Sequence, residues 1–412
     1  MTRTLEFPNP QRRAIEVVKE VALEKGVRPF LVGGPVRDLL LGRPVTDVDL
    51  TLEEGSSTLA RALAKRIDGR VRSHPQFLTY KVVAEGWPEI DIATARTEKY
   101  RAPGSLPAVS EGRLNDDLLR RDFTVNAIAM DLLDGTIHDP AKGQRDITAR
   151  VIRVLHDNSF VDDPTRILRA VRLASRLGFA IGPHTADLMR KAIASGALSS
   201  VSKERLWREL FLAMDERDSP KILAEFQKEG ALTAIFGTEI TPLDVADLEK
   251  VRRQLDGQKM LDRYVLYTGV LLRGTDASPE QLDGSGFSQK RMRAVRQIAR
   301  DLSRFEKALS GAASDRQRFR LFKTASPELL TMIAADKPDE RRHVSRFQEF
   351  QRFKLPLRGN DLEVPLGPHI ARALERTREA VFTGEIPPDQ ARSFARDLAI
   401  KYLNREQSAG QK

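Results

Sequence analysis

Two aspartates one residue apart, Asp47 and Asp49, have the side-chain type and spacing in this sequence that most directly suggest chemistry. In a β-strand, residues i and i+2 point to the same face, so the two carboxylates would present their oxygens together. Such a pair suits Mg²⁺, which proteins usually hold with one or two carboxylates and the phosphates of a substrate. A lone Asp-x-Asp is also common at a solvated strand end, so the neighbouring sequence must decide between these interpretations.

A pair of glycines, Gly33 and Gly34, stands between a short apolar strand at residues 30–32 and a helix-like run that contains Arg37 and ends at Leu41. Glycine lets backbone N–H groups approach a phosphate without a Cβ in the way, and the start of a helix favours anionic groups. A Gly-Gly pair alone is usually a turn. Strand, glycine pair, helix and Asp-x-Asp strand in this order favour a metal-dependent nucleotidyl-transfer site.

A second group of polar residues comprises Arg120, Arg121, Asp122 and Asn126. Consecutive arginines can clamp a triphosphate, because the guanidinium fork matches the spacing of phosphate oxygens. The carboxylate that follows can accept a hydrogen bond from a ribose hydroxyl. The alternative is a solvated run of charges with no ligand.

A third pair, Asp163 and Arg166, stands three residues apart at the start of a predicted helix, a spacing that places both on one helical face. Cytosine and adenine present an amine donor beside a ring-nitrogen acceptor, whereas uracil and guanine present the reverse order. A carboxylate only accepts and a guanidinium only donates, so this pair would accept C and A and reject U and G. The alternative is an acidic helix start with an ordinary ion pair.

The elements that must position these groups change in kind along the chain. Apolar spacing predicts a helix at residues 11–25 and short strands at 81–84 and 89–93. Residues 101–112 contain two prolines and two glycines without periodicity and are predicted to form a long flexible loop. After about residue 145 the pattern is helical throughout. The sequence therefore predicts a small mixed α/β domain followed by helical domains.

Composition bounds the class of protein. A chain of 412 residues exceeds what one core normally serves, so two to four domains are expected. The net charge of +10 favours a polyanionic partner, and residues 1–150 contribute little of it, with 23 basic and 22 acidic residues. The absence of cysteine excludes disulfides and thiolate metal sites and suggests a reducing cytoplasm. No apolar run approaches the roughly 18 residues of a membrane span, and the N-terminus lacks a signal-peptide core.

Two other site types are disfavoured by what the sequence lacks. It contains no Gly-x-x-x-x-Gly-Lys-Ser/Thr segment, which argues against a P-loop ATPase. Its His-Asp dipeptides, at His138 and His156, have no second histidine within four residues, which argues against a histidine-based metal site.

Taken together, the motifs resemble the class II tRNA nucleotidyltransferases, the family of bacterial CCA-adding enzymes and poly(A) polymerases. The resemblance extends over roughly residues 28–215 and depends on the order and spacing of five motifs. These are Leu31-Val-Gly-Gly-x-Val-Arg-Asp38, Asp47-x-Asp49, Arg120-Arg121-Asp122-Phe-Thr-x-Asn126, Asp139-Pro-x-x-Gly143 and Asp162-Asp163-x-x-Arg166.

The resemblance implies roles for individual residues. Asp47 and Asp49 would hold the catalytic Mg²⁺ ions, and Asp91 is a candidate third carboxylate. Asp163 and Arg166 would act as a protein template for the incoming base, while residues 97–113 would form the family's flexible loop, which is linked to the switch from C to A addition. The nucleotide-binding residues would be Gly33, Gly34, Arg37, Arg120, Arg121, Asp122, Asn126, Asp163, Arg166 and Arg169.

The resemblance also implies a fold and an activity. The expected class is α+β, with an N-terminal polymerase-β-like nucleotidyltransferase head at residues 1–145. An all-helical neck at 146–215, a body at 216–325 and a tRNA-binding tail at 326–412 would follow. The expected activity is template-independent addition of C, C and A to the tRNA 3′ end from CTP and ATP. A partial enzyme adding only CC or only A, a poly(A) polymerase and an inactive RNA-binding helical protein remain alternatives, and the sequence leaves the oligomeric state open.

Overall fold

A computed structural model describes residues 9–258, 260–355 and 357–409 of the chain. It forms two compact units, one ending at Glu239 and the other beginning at Ile240. All strands among these residues belong to the first unit. They are β1 (Phe30–Val32), β2 (Val48–Leu52), β3 (Arg70–His74), β4 (Thr79–Val83), β5 (Ile90–Thr94), β6 (Arg96–Lys99), β7 (Ala108–Glu111), β8 (Ala129–Asp131), β9 (Ile137–His138), β10 (Val151–Ile152) and β11 (Ala180–Ile181).

Helices of the first unit lie before, between and after these strands. They are α1 (Asn9–Lys25), α2 (Gly34–Leu40), α3 (Ser56–Arg66), α4 (Leu114–Leu119), α5 (Gly143–Ala149), α6 (Ser159–Asp162), α7 (Thr165–Leu177), α8 (Pro183–Ala194), α9 (Lys203–Asp215), α10 (Ser219–Lys228) and α11 (Ala231–Phe236).

The regular elements of the second unit are all helical among the residues that the structure describes. Its α-helices are α12 (Val245–Leu255), α13 (Arg263–Leu271), α14 (Gln289–Arg296), α15 (Leu302–Ser310), α16 (Asp315–Thr324), α17 (Pro327–Asp336), α18 (Pro338–Arg352), α19 (Pro368–Thr383) and α20 (Ala391–Ala409). Small alanines, among them Ala373, Ala391 and Ala395, form a buried cluster that includes residues of α19 and α20. Small side chains let the backbones of packed helices approach closely.

The head of the first unit is a seven-stranded mixed sheet in the order β3-β4-β5-β2-β1-β8-β9. Only β2 and β5 run parallel to each other, and every other neighbouring pair in this sheet is antiparallel. The parallel pair places Asp49 directly opposite Asp91. Register alone therefore brings two distant carboxylates together.

The alternation of side chains along β2 determines which face of the sheet presents Asp49. Val48, Leu50 and Leu52 are almost fully buried, whereas Asp49 points to the other face and is half-buried. Helices α1 and α3 pack on the apolar side. On the opposite face, Leu118 of α4 packs in one cluster with Val32 of β1, and Asp49 remains partly exposed.

The α+β class is confirmed: an α/β head precedes a largely helical remainder. The division of that remainder into neck, body and tail stays a prediction. In the part of the chain that the structure describes, no helix is both long and apolar enough to cross a membrane.

The prediction of an irregular loop over residues 101–112 was wrong at its C-terminal end. Strand β7 lies within this range and pairs with β6, with Thr97 opposite Ser110 and Glu98 opposite Val109. The strands are short, polar and half-exposed, so backbone pairing forms them without the apolar alternation that a sequence pattern can detect. The chain between β6 and β7 is the connection of a β-hairpin.

Candidate active site

The turn after β1 depends on Gly33. Its φ of 72° lies in the left-handed region, and its N–H donates to the Ile128 carbonyl at 3.0 Å. A Cβ on Gly33 would lie 2.7 Å from Nη1 of Arg121. Glycine is therefore required twice, once for the backbone conformation and once for the close approach of the arginine.

Gly33→Ala is expected to weaken nucleotide binding as well as stability, because the new methyl group must displace Arg121. Gly42→Ala is the matched control, since Gly42 has a φ of 67° and nothing within 4 Å of an added Cβ. Backbone strain should cost Gly42→Ala about 1–2 kcal/mol of unfolding free energy and Gly33→Ala about 1–3 kcal/mol, because ψ of Gly33 is −129°. Only Gly33→Ala should also raise the Kd for CTP and ATP in titration calorimetry, and equal affinities in the two variants would contradict this role of Gly33.

Three aspartates meet where β2 begins. Asp49 lies in β2 opposite Asp91, and Asp47 lies one residue before the strand and is exposed, so only one of the predicted pair is part of the strand itself. Burial, together with the charges of Asp91 and Asp47, raises the pKa of Asp49 to about 6. The repulsion indicates that a cation would be favourable here.

These carboxylates fit a divalent cation by chemistry but do not enclose one. Nζ of Lys81 lies 3.3 Å from Asp91 and partly neutralises it. Within residues 9–258, 260–355 and 357–409, no three acidic or histidine side chains are arranged to hold a metal ion. A divalent cation held by one or two protein carboxylates together with substrate phosphates would not need three such side chains.

Next to Asp49 lies a polar cavity of about 410 Å³, here called the arginine-rich cavity. It collects most of the residues predicted from the three motif groups, while Arg37, Asp47 and Asp91 are not part of its lining. The lining residues are Gly33, Gly34, Asp49, Glu98, Tyr100, Arg120, Arg121, Asp122, Asn126, Asp163, Arg166 and Arg169.

Arg37 was predicted to bind nucleotide but is almost fully buried behind the cavity. Its Nε and Nη2 donate to the carboxylate of Asp38, both at 2.9 Å, and its Nη1 donates to Oδ1 of Asn126 at 2.5 Å. The guanidinium therefore fixes the amide of Asn126, which does line the cavity.

Asp117 of α4 orients the arginine pair and was missed by sequence reasoning. Its fully buried carboxylate accepts from Nη2 of Arg120 at 2.6 Å and from Nη2 of Arg121 at 2.8 Å. Burial alone would raise the pKa of Asp117, but the charges and hydrogen bonds of Arg121 and Arg120 lower it. In the sequence, this contact was indicated only by the position of Asp117, three residues before Arg120 and four before Arg121.

Glu98 and Tyr100, at the end of β6 and just beyond, are also cavity residues that no motif indicated. Glu98 accepts from Nη1 of Arg120 at 2.6 Å and from the Tyr100 hydroxyl at 2.9 Å. Burial and the charge of Glu98 raise the pKa of Tyr100 to about 12, so the hydroxyl remains a donor. No sequence pattern ties these residues to Arg120, since they are brought together by folding.

Asp122 and Arg169 form an ion pair across the cavity. Oδ2 of Asp122 accepts from Nη2 of Arg169 at 2.6 Å, and Oδ1 accepts from the Asn126 amide at 3.0 Å. Burial acts to raise the pKa of Asp122, but Arg169 and Asn126 hold it at about 2. The charge of Asp122 raises the pKa of Arg169 in turn. Both side chains are charged and fixed at neutral pH.

Asp122→Asn is expected to lower the free energy of unfolding, because folding favours the charged form of this carboxylate. Stability from a depressed pKa is present above the ordinary value of 3.8 and is lost as pH falls through about 2. The difference between wild type and variant should therefore be constant near neutral pH and shrink in acid. Urea unfolding at a series of pH values measures it, and a difference that does not change with pH would contradict this assignment.

Asp163 and Arg166 both line the cavity, but they do not share a helical face as predicted. Helix α7 begins at Thr165, and Asp163 has extended backbone with φ −136° and ψ 93°. The cause is Pro164, since a residue that precedes proline is disfavoured in the helical region. The nearly buried Arg166 donates to Oγ of Ser159 at 2.7 Å and to the Arg120 carbonyl at 2.9 Å.

A second cavity of about 400 Å³, here called the sheet-face cavity, is also lined by Asp49. Asp49, Arg120 and Arg121 line both cavities, and Asp91 lines this one. Its other lining residues are Val32, Leu50, Thr51, His74, Thr79, Tyr80, Lys81, Ile92 and Ala93. The two cavities therefore share one carboxylate, that of Asp49.

Comparison with known proteins supports the family resemblance that the motifs indicated. Residues 29–153 match the poly A polymerase head domain family. A solved tRNA nucleotidyltransferase, complexed with a primer tRNA and an incoming ATP analog, is 30% identical. The match covers 81% of this chain and 98% of that one, with a TM-score of 0.67. The chain belongs to the class II tRNA nucleotidyltransferases. Enzymes of this family generally use divalent metal ions.

Two curated relatives within the class II tRNA nucleotidyltransferases have different names. An A-adding tRNA nucleotidyltransferase of Geobacter sulfurreducens is 32% identical over 92% of this chain and 46% of its own length. A multifunctional CCA protein of Xanthomonas campestris pv. campestris is 40% identical over 50% of this chain and 50% of its own. The chain thus spans about half the length of these two relatives.

Proposed function

We propose that this protein adds C, C and A to the 3′ end of tRNA, using CTP, ATP and Mg²⁺ and no nucleic-acid template. The observation that carries the proposal is that Asp49 lines both cavities. A nucleotide in the arginine-rich cavity and an RNA end in the sheet-face cavity would meet at this carboxylate.

The reaction transfers a nucleotide from a triphosphate to a hydroxyl. The terminal 3′-oxygen forms a bond to the α-phosphorus, the bond to the β-phosphate oxygen breaks, and pyrophosphate and a proton leave. Magnesium bound at Asp47 and Asp49 would lower the pKa of the hydroxyl and stabilise the developing charge on the attacking and leaving oxygens.

The chain's own residues hold the triphosphate in place. Arg120 and Arg121 reach the cavity from a common anchor, Asp117, so their guanidinium groups are ordered before substrate binds. Ordered donors lose little entropy when they bind phosphate, which favours the transition state. Asp122 fixes Arg169 in the same way.

The base would be selected by Asp163 and Arg166. Oδ1 of Asp163 is engaged by the backbone N–H and hydroxyl of Thr165, at 3.1 and 2.7 Å. The second oxygen can then accept from the exocyclic amine of cytosine or adenine, while Arg166 donates to the ring nitrogen. Uracil or guanine would place donor against donor and acceptor against acceptor.

The tRNA backbone would be bound by basic helical regions outside the head, which predicts weaker binding at higher salt. A protein that matures tRNA would work in the cytoplasm, and this location is part of the proposal. A second candidate function is addition of the final A alone. It is favoured by the A-adding relative, which matches 92% of this chain.

Three tRNA substrates separate these functions: one lacking CCA, one lacking CA and one lacking only A. Each is incubated with single labelled nucleotides and Mg²⁺, and product lengths are read on a gel. Incorporation of C into the first two and of A into the third supports full CCA addition. Reaction of the third substrate alone indicates an A-adding enzyme, long A tails indicate a poly(A) polymerase, and no incorporation refutes nucleotidyl transfer.

A further inference from the structure

Arg205 of α9 connects the β6–β7 hairpin to the carboxylate of Asp163. Its Nη2 donates to Oδ1 of Asp163 at 2.8 Å, and its Nη1 donates to the Gly104 carbonyl at 2.7 Å. A planar guanidinium can make both bonds only in one orientation. Both bonds join α9 to other parts of the chain, because Gly104 and Asp163 lie outside that helix.

The hairpin residue at this contact is tightly seated. Gly104 is buried, its N–H donates to the Asp162 carbonyl at 3.3 Å, and its φ is 70°. An added Cβ would overlap Oγ of Ser200. The hairpin therefore contacts the residues immediately before α7 through a specific hydrogen bond between Gly104 and Asp162.

Arg205 completes the set of donors on one oxygen of Asp163. Oδ1 already accepts from the N–H and hydroxyl of Thr165, so Arg205 is the third donor. Oδ2 accepts no hydrogen bond from any residue that the structure describes. It is the acceptor left for a ligand in the arginine-rich cavity, which Asp163 lines.

We propose that Arg205 is a positioning residue for nucleotide choice. It holds the Asp163 carboxylate so that Oδ2 remains available to the amine of the incoming base, and it couples this orientation to docking of the hairpin at Gly104. The proposal rests on the proposed function. Without Arg205 the carboxylate is held by Thr165 alone, which restricts its rotation about χ2 less, and the hairpin loses one of its anchors.

The test compares kcat/KM for CTP and UTP in Arg205→Ala, Arg205→Lys and Arg208→Ala. Arg208 is the matched control, because it is an exposed arginine on the same helix with no ion pair among the residues described. In Arg205→Ala the preference for CTP should fall roughly 10- to 100-fold, the range for losing a hydrogen bond to a charged group. Lysine can satisfy only one partner well and should restore part of the preference, and Arg208→Ala should leave it unchanged.

A double-mutant cycle tests whether the effect of Arg205 on nucleotide preference depends on Asp163. In an Asp163→Ala background, removing Arg205 should change the preference little, because the group it positions is gone. An equal fall in both backgrounds would overturn the proposal, as would an unchanged preference in Arg205→Ala.

Two measurements keep this test separate from the proposed function. Calorimetric titration with CTP and UTP reports the preference without tRNA, so it applies even if no incorporation occurs. Trypsin cleavage after Arg101 in the hairpin should be faster in Arg205→Ala than in Arg208→Ala. Equal cleavage rates would refute the coupling to the hairpin.

Discussion

Asp49→Asn is expected to abolish nucleotide incorporation while leaving the fold intact. A catalytic metal supplies several kcal/mol of transition-state stabilisation and each roughly 1.4 kcal/mol is tenfold, so kcat/KM should fall about 1,000-fold or more. Asparagine has the same size but contributes no charge at the meeting point of the two cavities. Incorporation of labelled CTP into tRNA, followed as a function of Mg²⁺ concentration, measures the loss.

The same substitution should not destabilise the protein. The pKa of Asp49 is raised to about 6, so the folded state disfavours its charge, and stability from this group falls as pH rises through that value. At neutral pH, Asp49→Asn should therefore unfold at the same or a higher urea concentration than wild type. Asp397→Asn, the same change at an exposed residue of α20 outside both cavities, is the control. Retained activity in Asp49→Asn would refute the metal assignment.

Arg166→Ala is expected to relax the choice of nucleotide. A site that hydrogen-bonds its substrate can reject a mismatched analogue by about 10⁴-fold, so discrimination against UTP and GTP could fall by up to that factor. The variant also loses hydrogen bonds to Ser159 and to the Arg120 carbonyl, which should cost about 1–3 kcal/mol of unfolding free energy. Single-turnover incorporation of all four nucleotides measures the selectivity.

Arg172→Ala separates selectivity from helix packing. Arg172 is on the same helix, is largely buried and pairs with Glu209 and Glu216, but it does not line the arginine-rich cavity. Its loss should lower stability without changing the preference among nucleotides. Unchanged discrimination in Arg166→Ala, or equal relaxation in both variants, would count against the template role.

Local sequence patterns predicted Asp163 and Asp91 as candidate site residues but not the backbone and neighbours around them. The Asp163–Arg166 pair was identified by its chemistry, although the helical face assigned to it was wrong because Pro164 keeps Asp163 out of α7. Asp91 was named as a candidate carboxylate from its strand, and the register of β2 and β5 places it opposite Asp49. Whether it binds metal stays a prediction, since Lys81 lies beside it.

By itself, the sequence determined the turn at Gly33, the alternation that turns Asp49 away from the core, and the order of motifs that identifies the family. These features depend on residues close together in the chain, where the preferences of glycine, proline and alternating apolar residues act directly. Only the tertiary structure decided that Asp117 orients the arginines, that Glu98 and Tyr100 line the cavity, and that Arg205 contacts Asp163. Their hydrogen bonds and shifted pKa values arise from burial beside charges on other elements, and a linear pattern does not encode those distances.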